Sequence, residues 1–327
     1  MATTELPLIK LPMTKLPLTE LHRAAKGKLA APKNTAVGTL GVDNIVPVCV
    51  VLLALVVIWY LAAWWLNAPG AIERVLQPKG PWAWQDLLQA TMAMERPVLP
   101  APHQVAQDFW SSLVDFPVDT PRNLLFHVVV TGKTTLLGFA MGLGLGLFLA
   151  ILIVHSSTLD RALLPWVVAS QSLPVLAIAP IVLIILGSLG FSDTFPKAVI
   201  AMYLCFFPIT VAMVQGLRAP QRIESELMFT YAASRWQTLW ALRMQSALPF
   251  LFPALRVAIA AGLVGAMVAE LPTGAQAGLG SRLLTGSYYG NTVQIWSALL
   301  MSAFLGLGLT AAVTLIERWV LRNRRRL

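Results

Sequence analysis

Long apolar runs separated by short polar connections dominate the hydrophobic pattern of this 327-residue chain. A helix needs about 20 apolar residues to cross the hydrocarbon core of a bilayer. The pattern predicts six such helices, at residues 45–66, 128–154, 163–186, 197–217, 247–269 and 293–315. Charged residues make up only 12% of the chain, whereas soluble domains carry about 25%. We therefore expect an all-α membrane protein with six transmembrane helices.

The charges outside the predicted spans indicate how the chain is oriented. Basic residues precede the first span and follow the last, and they account for most of the net charge of +9. Such clusters favour the cytoplasmic side and contact anionic lipid, and we expect no nucleic-acid binding. The segment 67–126 carries more acidic than basic residues and is expected outside, with short helices near 82–94 and 104–114. Both termini are then cytoplasmic.

The two ends of the chain differ from the predicted spans in composition. Residues 1–44 contain Leu-Pro pairs at a five-residue spacing, and proline at that period prevents a regular helix. We expect an extended or disordered cytoplasmic arm, lying either on the membrane surface or free. Residues 127–320 form the expected five-helix core, and residues 321–327 form a basic cytoplasmic tail.

The connection at 218–246 is unlike the other connections. It is too polar to span a membrane, yet it is rich in Leu, Trp, Phe and Met. Its arginines mark the cytoplasmic side. The composition predicts a folded element there that docks on a soluble partner.

A row of small residues runs along the second predicted span. It consists of Gly138, Gly142, Gly144 and Gly146. Small residues allow helices to approach closely in lipid. We expect this row to face a neighbouring helix.

Three prolines, at positions 165, 174 and 180, fall within the third predicted span. Each removes a backbone donor, and the freed carbonyl must be satisfied by neighbours or by a water-lined cavity. We expect a kinked helix whose Gln171, Ser172 and Pro174 line a pore. The alternative is that the prolines only shape the bundle.

Few other side chains suggest chemistry. Glu270 ends the fifth predicted span, and acids at this depth are functional candidates. It could bind a cation, gate the pore or cap a helix end. Cys49 and Cys205 lie within apolar runs and predict neither a disulfide nor a metal site. We expect no cofactor and no metal on this chain.

Several motifs between about residues 97 and 320 resemble those of one family of transport proteins. They are PVLPAPHQV at 97–105, Lys133 with Gly138-Phe139, SQSLPVLAIAPIVLIILGSLG at 170–190, FFPIT at 206–210, ASRWQTLW at 233–240, ALP at 247–249 and VAE at 268–270. On these motifs the chain is similar to permease subunits of ATP-binding-cassette (ABC) importers, in the nitrate, sulfonate, taurine and bicarbonate branch.

The resemblance assigns a role to the connection at 218–246. In the family this loop reads Glu-Ala-Ala, three residues, then Gly. Aligned on ASRW, Glu226 keeps the Glu, whereas Ala232 stands where the family has glycine. The resemblance implies a type I importer permease fold in which a coupling helix in this loop docks on an ATPase. The implied ATPase-coupling residues are Arg222, Glu226, Tyr231, Ala232, Arg235, Trp236 and Trp240, with the aromatic side chains as knobs and the arginines as rim charges.

The resemblance also implies partners and a mechanism. Two permease subunits, identical or homologous, would form the pore in a bacterial inner membrane. Cytosolic subunits would bind ATP and Mg, an external protein would deliver the substrate, and this chain would be non-catalytic. The substrate would be a small anion, a sulfonate, or a small aromatic or heterocyclic compound.

A secondary transporter driven by an ion gradient is the alternative. Such proteins normally carry ionisable groups at mid-membrane, and the predicted spans hold almost none.

Overall fold

The computed structural model describes residues 42–191, 193–272 and 277–324. Residues 1–41 of the predicted arm and residues 325–327 of the predicted tail lie outside these ranges, so their structure is not described, whereas residues 42–44 and 321–324 belong to helices. The helices are α1 (Val42–Ala71), α2 (Trp84–Met92), α3 (Pro102–Val114), α4 (Leu124–His155), α5 (Ser157–Ala169), α6 (Val175–Ser188), α7 (Thr194–Leu217), α8 (Arg222–Thr230), α9 (Arg235–Thr238), α10 (Met244–Glu270), α11 (Leu279–Tyr288) and α12 (Thr292–Arg324).

Five helical stretches are long and apolar enough to cross a membrane. They are Val46–Leu76, Leu124–His155, Thr194–Leu217, Arg235–Glu270 and Thr292–Arg322. A bent pair, Ser157–Ser172 with Val175–Ser188, makes a sixth if it is counted as one span. The predicted all-α membrane fold is confirmed.

The third predicted span, 163–186, is broken rather than kinked. Its two halves meet at 102°. Pro174 is the residue before α6, and its backbone is extended, so the helical hydrogen-bond pattern stops there. A proline lacks the N–H that would continue the first half. Pro165 and Pro180 lie inside α5 and α6 without ending them.

The chain divides into two compact units, Met1–Leu55 and Val56–Leu327. In the first unit, the described residues form the initial part of α1, with exposed side chains from Val46 onward. The second unit contains the rest of α1 and every later helix. Its main apolar core is formed by α4, α7 and α10, with Ile153, Ile209 and Phe252 among its buried members.

Three of the four glycines in the predicted row bring α4 close to α7. A Cβ atom would lie only 2.5, 2.5 and 2.9 Å from the Cβ of the facing residue for the pairs Gly138–Ala201, Gly142–Cys205 and Gly146–Ile209. These pairs repeat every four residues on both helices, so the backbones can touch only where Cβ atoms are missing. Gly144 was wrongly included in the row, because a Cβ there meets nothing within 4 Å among the described residues.

The segment 67–126 contains both short helices that the sequence predicts. Asn67 of α1 binds the turn that connects these two helices. Its side-chain nitrogen donates to the Leu99 carbonyl at 2.8 Å, and its oxygen accepts from the N–H of Val98 at 2.7 Å. The Trp59 indole donates to the Pro100 carbonyl at 3.0 Å. These bonds satisfy backbone groups that a proline-rich turn would leave unpaired.

Candidate functional site

The connection between α7 and α10 folds into two short helices with a defined turn. At the end of α8 the N–H of Ala233 donates to the Met228 carbonyl at 3.0 Å, and the N–H of Ala232 donates to the Phe229 carbonyl at 2.8 Å. This pair of bonds is the Schellman motif. Ser234 then caps α9, because its Oγ accepts from Gln237 N–H while the Gln237 side chain accepts from Ser234 N–H. The turn is therefore fixed by hydrogen bonds on both sides.

Ala232 has a left-handed backbone conformation, with φ of 52°. The Schellman motif places one residue in this region, and glycine adopts it at the lowest cost. An alanine there costs about 1 kcal/mol or more. The conformation explains why a glycine would be favoured at this position, and it fits the alignment made from the sequence.

Apolar side chains project from the two helices into solvent. The predicted knobs Tyr231, Trp236 and Trp240 are all exposed. Sequence reasoning missed three more exposed residues on α8, which are Ile223, Leu227 and Phe229. Ile223 and Leu227 are four residues apart and therefore share one face of α8. That i, i+4 pair was the signal that could have identified them.

The predicted rim charges differ in their surroundings. Arg222 and Glu226 pair with each other at 2.7 Å on the exposed side of α8. Exposed pairs of this kind contribute little stability. Arg235 instead lines a crevice of about 320 Å³ between the end of α4 and the two short helices, with His155 and Arg243.

The two short helices are anchored to the membrane-spanning helices. Arg218 pairs with Asp160 of α5 at 2.9 Å, and Leu239 is buried in the main core. The Trp236 ring packs edge-on against His155 at the end of α4, with a centroid distance of 6.3 Å. These contacts join the element to α4, to α5 and to the main core.

The pore candidates Gln171, Ser172 and Pro174 lie together at the bend between α5 and α6. All three are exposed in the isolated chain. The Tyr203 hydroxyl of α7 donates to the Ser170 carbonyl, which satisfies one acceptor that the break frees. A polar, solvent-accessible bend in an otherwise apolar span is consistent with a cavity lining, and the pore role stays a prediction.

Glu270 of α10 is fully buried, at 0% exposure. Its carboxylate accepts from the Gly280 N–H at 2.7 Å and from the Thr131 hydroxyl at 2.8 Å. Gly280 is in the first turn of α11, where backbone N–H groups lack helical partners. Among the predicted roles, the geometry corresponds to capping a helix end.

Two side chains of α4 also accept hydrogen bonds from backbone N–H groups at the start of α11. The Thr131 hydroxyl accepts from Leu279 N–H at 2.8 Å, and His127 Nδ1 accepts from Gly278 N–H at 3.0 Å. His127 Nε2 therefore carries the proton and donates to the Pro121 carbonyl at 2.8 Å. Three consecutive N–H groups are thus bound by three side chains. Sequence reasoning missed this set, although His127 and Thr131 share a helix face.

The start of α11 is also tied to the segment at 67–126. Arg282 donates to the Arg122 carbonyl at 3.0 Å and to the Ser112 hydroxyl at 2.9 Å. Burial lowers the pKa of the Arg282 guanidinium, and the nearby Asp108 carboxylate opposes that shift. An arginine stays charged at neutral pH even so.

These features define a class of protein, namely a multi-pass helical permease with an anchored helix pair at one end. Residues 142–326 match the family model for the binding-protein-dependent transport system inner membrane component. The chain belongs to this family. It is a permease subunit of an ABC importer and not a secondary transporter driven by an ion gradient, so the predicted class is confirmed. Subunits of this family are pore components rather than catalysts.

The names of similar proteins agree with this assignment. The formylaminopyrimidine transport permease protein ThiX of Halalkalibacterium halodurans is 31% identical over 242 residues, covering 73% of this chain and 91% of the relative. The riboflavin transport system permease protein RibX of Chloroflexus aurantiacus is 32% identical, covering 69% and 80%. The putative aliphatic sulfonates transport permease protein SsuC of Bacillus subtilis is 24% identical, covering 69% and 78%.

Proposed function

We propose that this permease imports a small heterocyclic compound rather than an inorganic anion or a sulfonate. The observation that carries the proposal is the neutral bend between α5 and α6. Between Ala162 and Gly190 the sequence contains no charged residue, so the candidate pore lining offers an anion no ionic partner. Two relatives named for heterocyclic compounds are 31% and 32% identical, against 24% for the sulfonate permease.

We infer that the helix pair α8–α9 docks on a cytosolic ATPase. The apolar residues Ile223, Leu227 and Phe229 of α8 are 70%, 55% and 86% exposed. Burying such side chains stabilises an interface by roughly 1.5–3 kcal/mol each when they leave water completely. Closure of the ATPases would then pull on α4, α5 and α10 through the anchors at Asp160, His155 and Leu239.

We also propose how the importer is assembled and where it is located. Two permease subunits, identical or homologous, surround the pore in a bacterial inner membrane, with both termini in the cytoplasm. An external binding protein delivers the substrate, and ATP and Mg are bound by the ATPase subunits.

Transport into proteoliposomes tests the proposal. The chain is co-expressed with candidate ATPase and binding-protein subunits from the same genome, and uptake of a labelled aminopyrimidine and of riboflavin is compared with uptake of taurine and nitrate. We expect ATP-dependent uptake of a heterocycle alone. Uptake of taurine or nitrate in preference to both heterocycles would contradict the substrate class, and uptake without ATP would contradict the ATPase coupling.

A further inference from the structure

A basic crevice lies between the middle of α10 and the C-terminal part of α12. It has a volume of about 550 Å³ and is lined by Arg256, Thr314, Glu317, Arg318, Leu321 and Arg322. Three arginines and one glutamate give this lining a net charge of +2. The ATPase-coupling helices use none of these residues.

One of the arginines is already paired. Arg256 of α10 donates to Glu317 of α12 at 2.5 Å, and both side chains are partly buried. This pair joins the two helices and compensates the only acid in the crevice. Arg318 and Arg322 form no ion pair within the part of the chain that the structure describes. They therefore supply uncompensated positive charge at the crevice wall.

The crevice lies at the depth of lipid headgroups. A helix of 33 residues such as α12 is about 50 Å long, which exceeds the hydrocarbon core by about 20 Å. The apolar run of α12 ends at about residue 315, and the charged residues Glu317, Arg318 and Arg322 follow it, so the final turns are the part that extends beyond the hydrocarbon. Trp319 is exposed at the same level, and tryptophan favours the interface between membrane and water.

The surface beside the crevice is apolar. Leu321 lines the crevice, and Leu315, three residues before Arg318 on α12, is exposed, so these two side chains provide a surface along which an acyl chain can lie. A soluble anion would use the arginines alone, whereas a phospholipid uses both the charge and the apolar flank. Basic crevices between transmembrane helices are suited to anionic headgroups, and guanidinium groups bind phosphate through two parallel hydrogen bonds.

We propose that the crevice between α10 and α12 binds the headgroup of an anionic phospholipid, with Arg318 and Arg322 donating to its phosphate. The Arg256–Glu317 pair forms the floor of the site and keeps the two helices at a fixed separation. The proposal rests on the membrane location of the chain and is independent of the substrate class and of the ATPase contact.

Lipid titration of the purified full-length chain tests this site. The chain is delipidated in detergent and titrated with short-chain phosphatidylglycerol or phosphatidylcholine, and native mass spectrometry counts the bound lipids. We expect preferential binding of phosphatidylglycerol. Each arginine should contribute about fivefold in affinity, so the double variant Arg318→Gln, Arg322→Gln should lose about 25-fold and bind phosphatidylcholine as before.

Two further variants separate a binding site from general effects on charge or folding. Glu317→Gln removes the only acid in the lining while its amide still accepts from Arg256, so affinity for phosphatidylglycerol should rise. A merely structural role for these residues would not produce a gain. Arg161→Gln removes an exposed arginine of α5 that does not line the crevice, and it should leave affinity unchanged.

Three results would overturn the proposal. The first is equal loss of phosphatidylglycerol affinity in Arg161→Gln and in the double variant. The second is displacement of phosphatidylglycerol by equimolar inorganic phosphate, which would identify a site for a free anion. The third is loss of the bound lipid when the ATPase subunits are added, which would assign the crevice to a protein interface.

Discussion

The close approach of α4 and α7 allows a test at a single atom. Replacing Gly142 by alanine places a Cβ 2.5 Å from the Cβ of Cys205, whereas carbon atoms pack favourably at about 3.5–4.0 Å. The two helices would have to separate by about 1 Å or more along a face that holds the main core together. Overpacking of this kind costs about 1–3 kcal/mol.

Gly144 is the matched control on the same helix. An alanine there meets nothing within 4 Å among the described residues, and alanine favours a helix over glycine by up to about 1 kcal/mol. The two variants have the same composition and differ only in which face of α4 gains the methyl group. The gain in helix propensity is common to both variants, so their difference in stability should be the overpacking cost of about 1–3 kcal/mol.

Thermal unfolding in detergent, followed by fluorescence-detected size exclusion, measures this difference. At about 2–4 °C for each kcal/mol, Gly142→Ala should unfold several degrees below the parent protein. Gly144→Ala should unfold at the same temperature as the parent or slightly above it. Equal unfolding temperatures for the two variants would refute the close packing of α4 on α7.

Three further predictions concern the coupling helices, the topology and the buried carboxylate. Ala232→Gly should relieve the left-handed strain and raise the unfolding temperature by about 2–4 °C, whereas Ala233→Gly should not; equal effects would contradict the strained turn. A membrane-impermeant thiol reagent should label the variant Ser225→Cys only from inside and the variant Ser287→Cys only from outside. The reverse labelling pattern would show that the proposed topology is inverted. Glu270→Ala should lower the free energy of unfolding by about 0.5–2 kcal/mol, the usual contribution of a helix cap. Glu270→Gln should lose less stability than the alanine variant, because the amide oxygen still accepts a hydrogen bond. An unchanged unfolding temperature for Glu270→Ala would exclude the capping role.

Hydropathy predicted the spans because each is an apolar run of the length that a bilayer requires. It placed the break in the third span only approximately. The prolines indicated that helical hydrogen bonding would be interrupted near Pro174, but the 102° angle depends on the packing of both halves against other helices. A local pattern carries no information about such an angle.

The capping site at the start of α11 could not be predicted for a different reason. His127 and Thr131 come from α4, Glu270 comes from α10, and the N–H groups that they bind are at the start of α11. Only the tertiary fold brings these segments together. In the coupling loop, by contrast, the turn is local, and Ser234 followed by Gln237 predicts a capping box from sequence alone.

Site-specific photo-crosslinking tests most directly whether the α8–α9 pair binds the ATPase. A photoreactive amino acid is placed at Phe229 or at Tyr288, which are 86% and 83% exposed and lie before and after the membrane-spanning α10. In intact cells that express the importer, the probe at position 229 should capture the ATPase subunit, and the probe at position 288 should not. Capture of the ATPase from position 288, or none from position 229, would contradict the account.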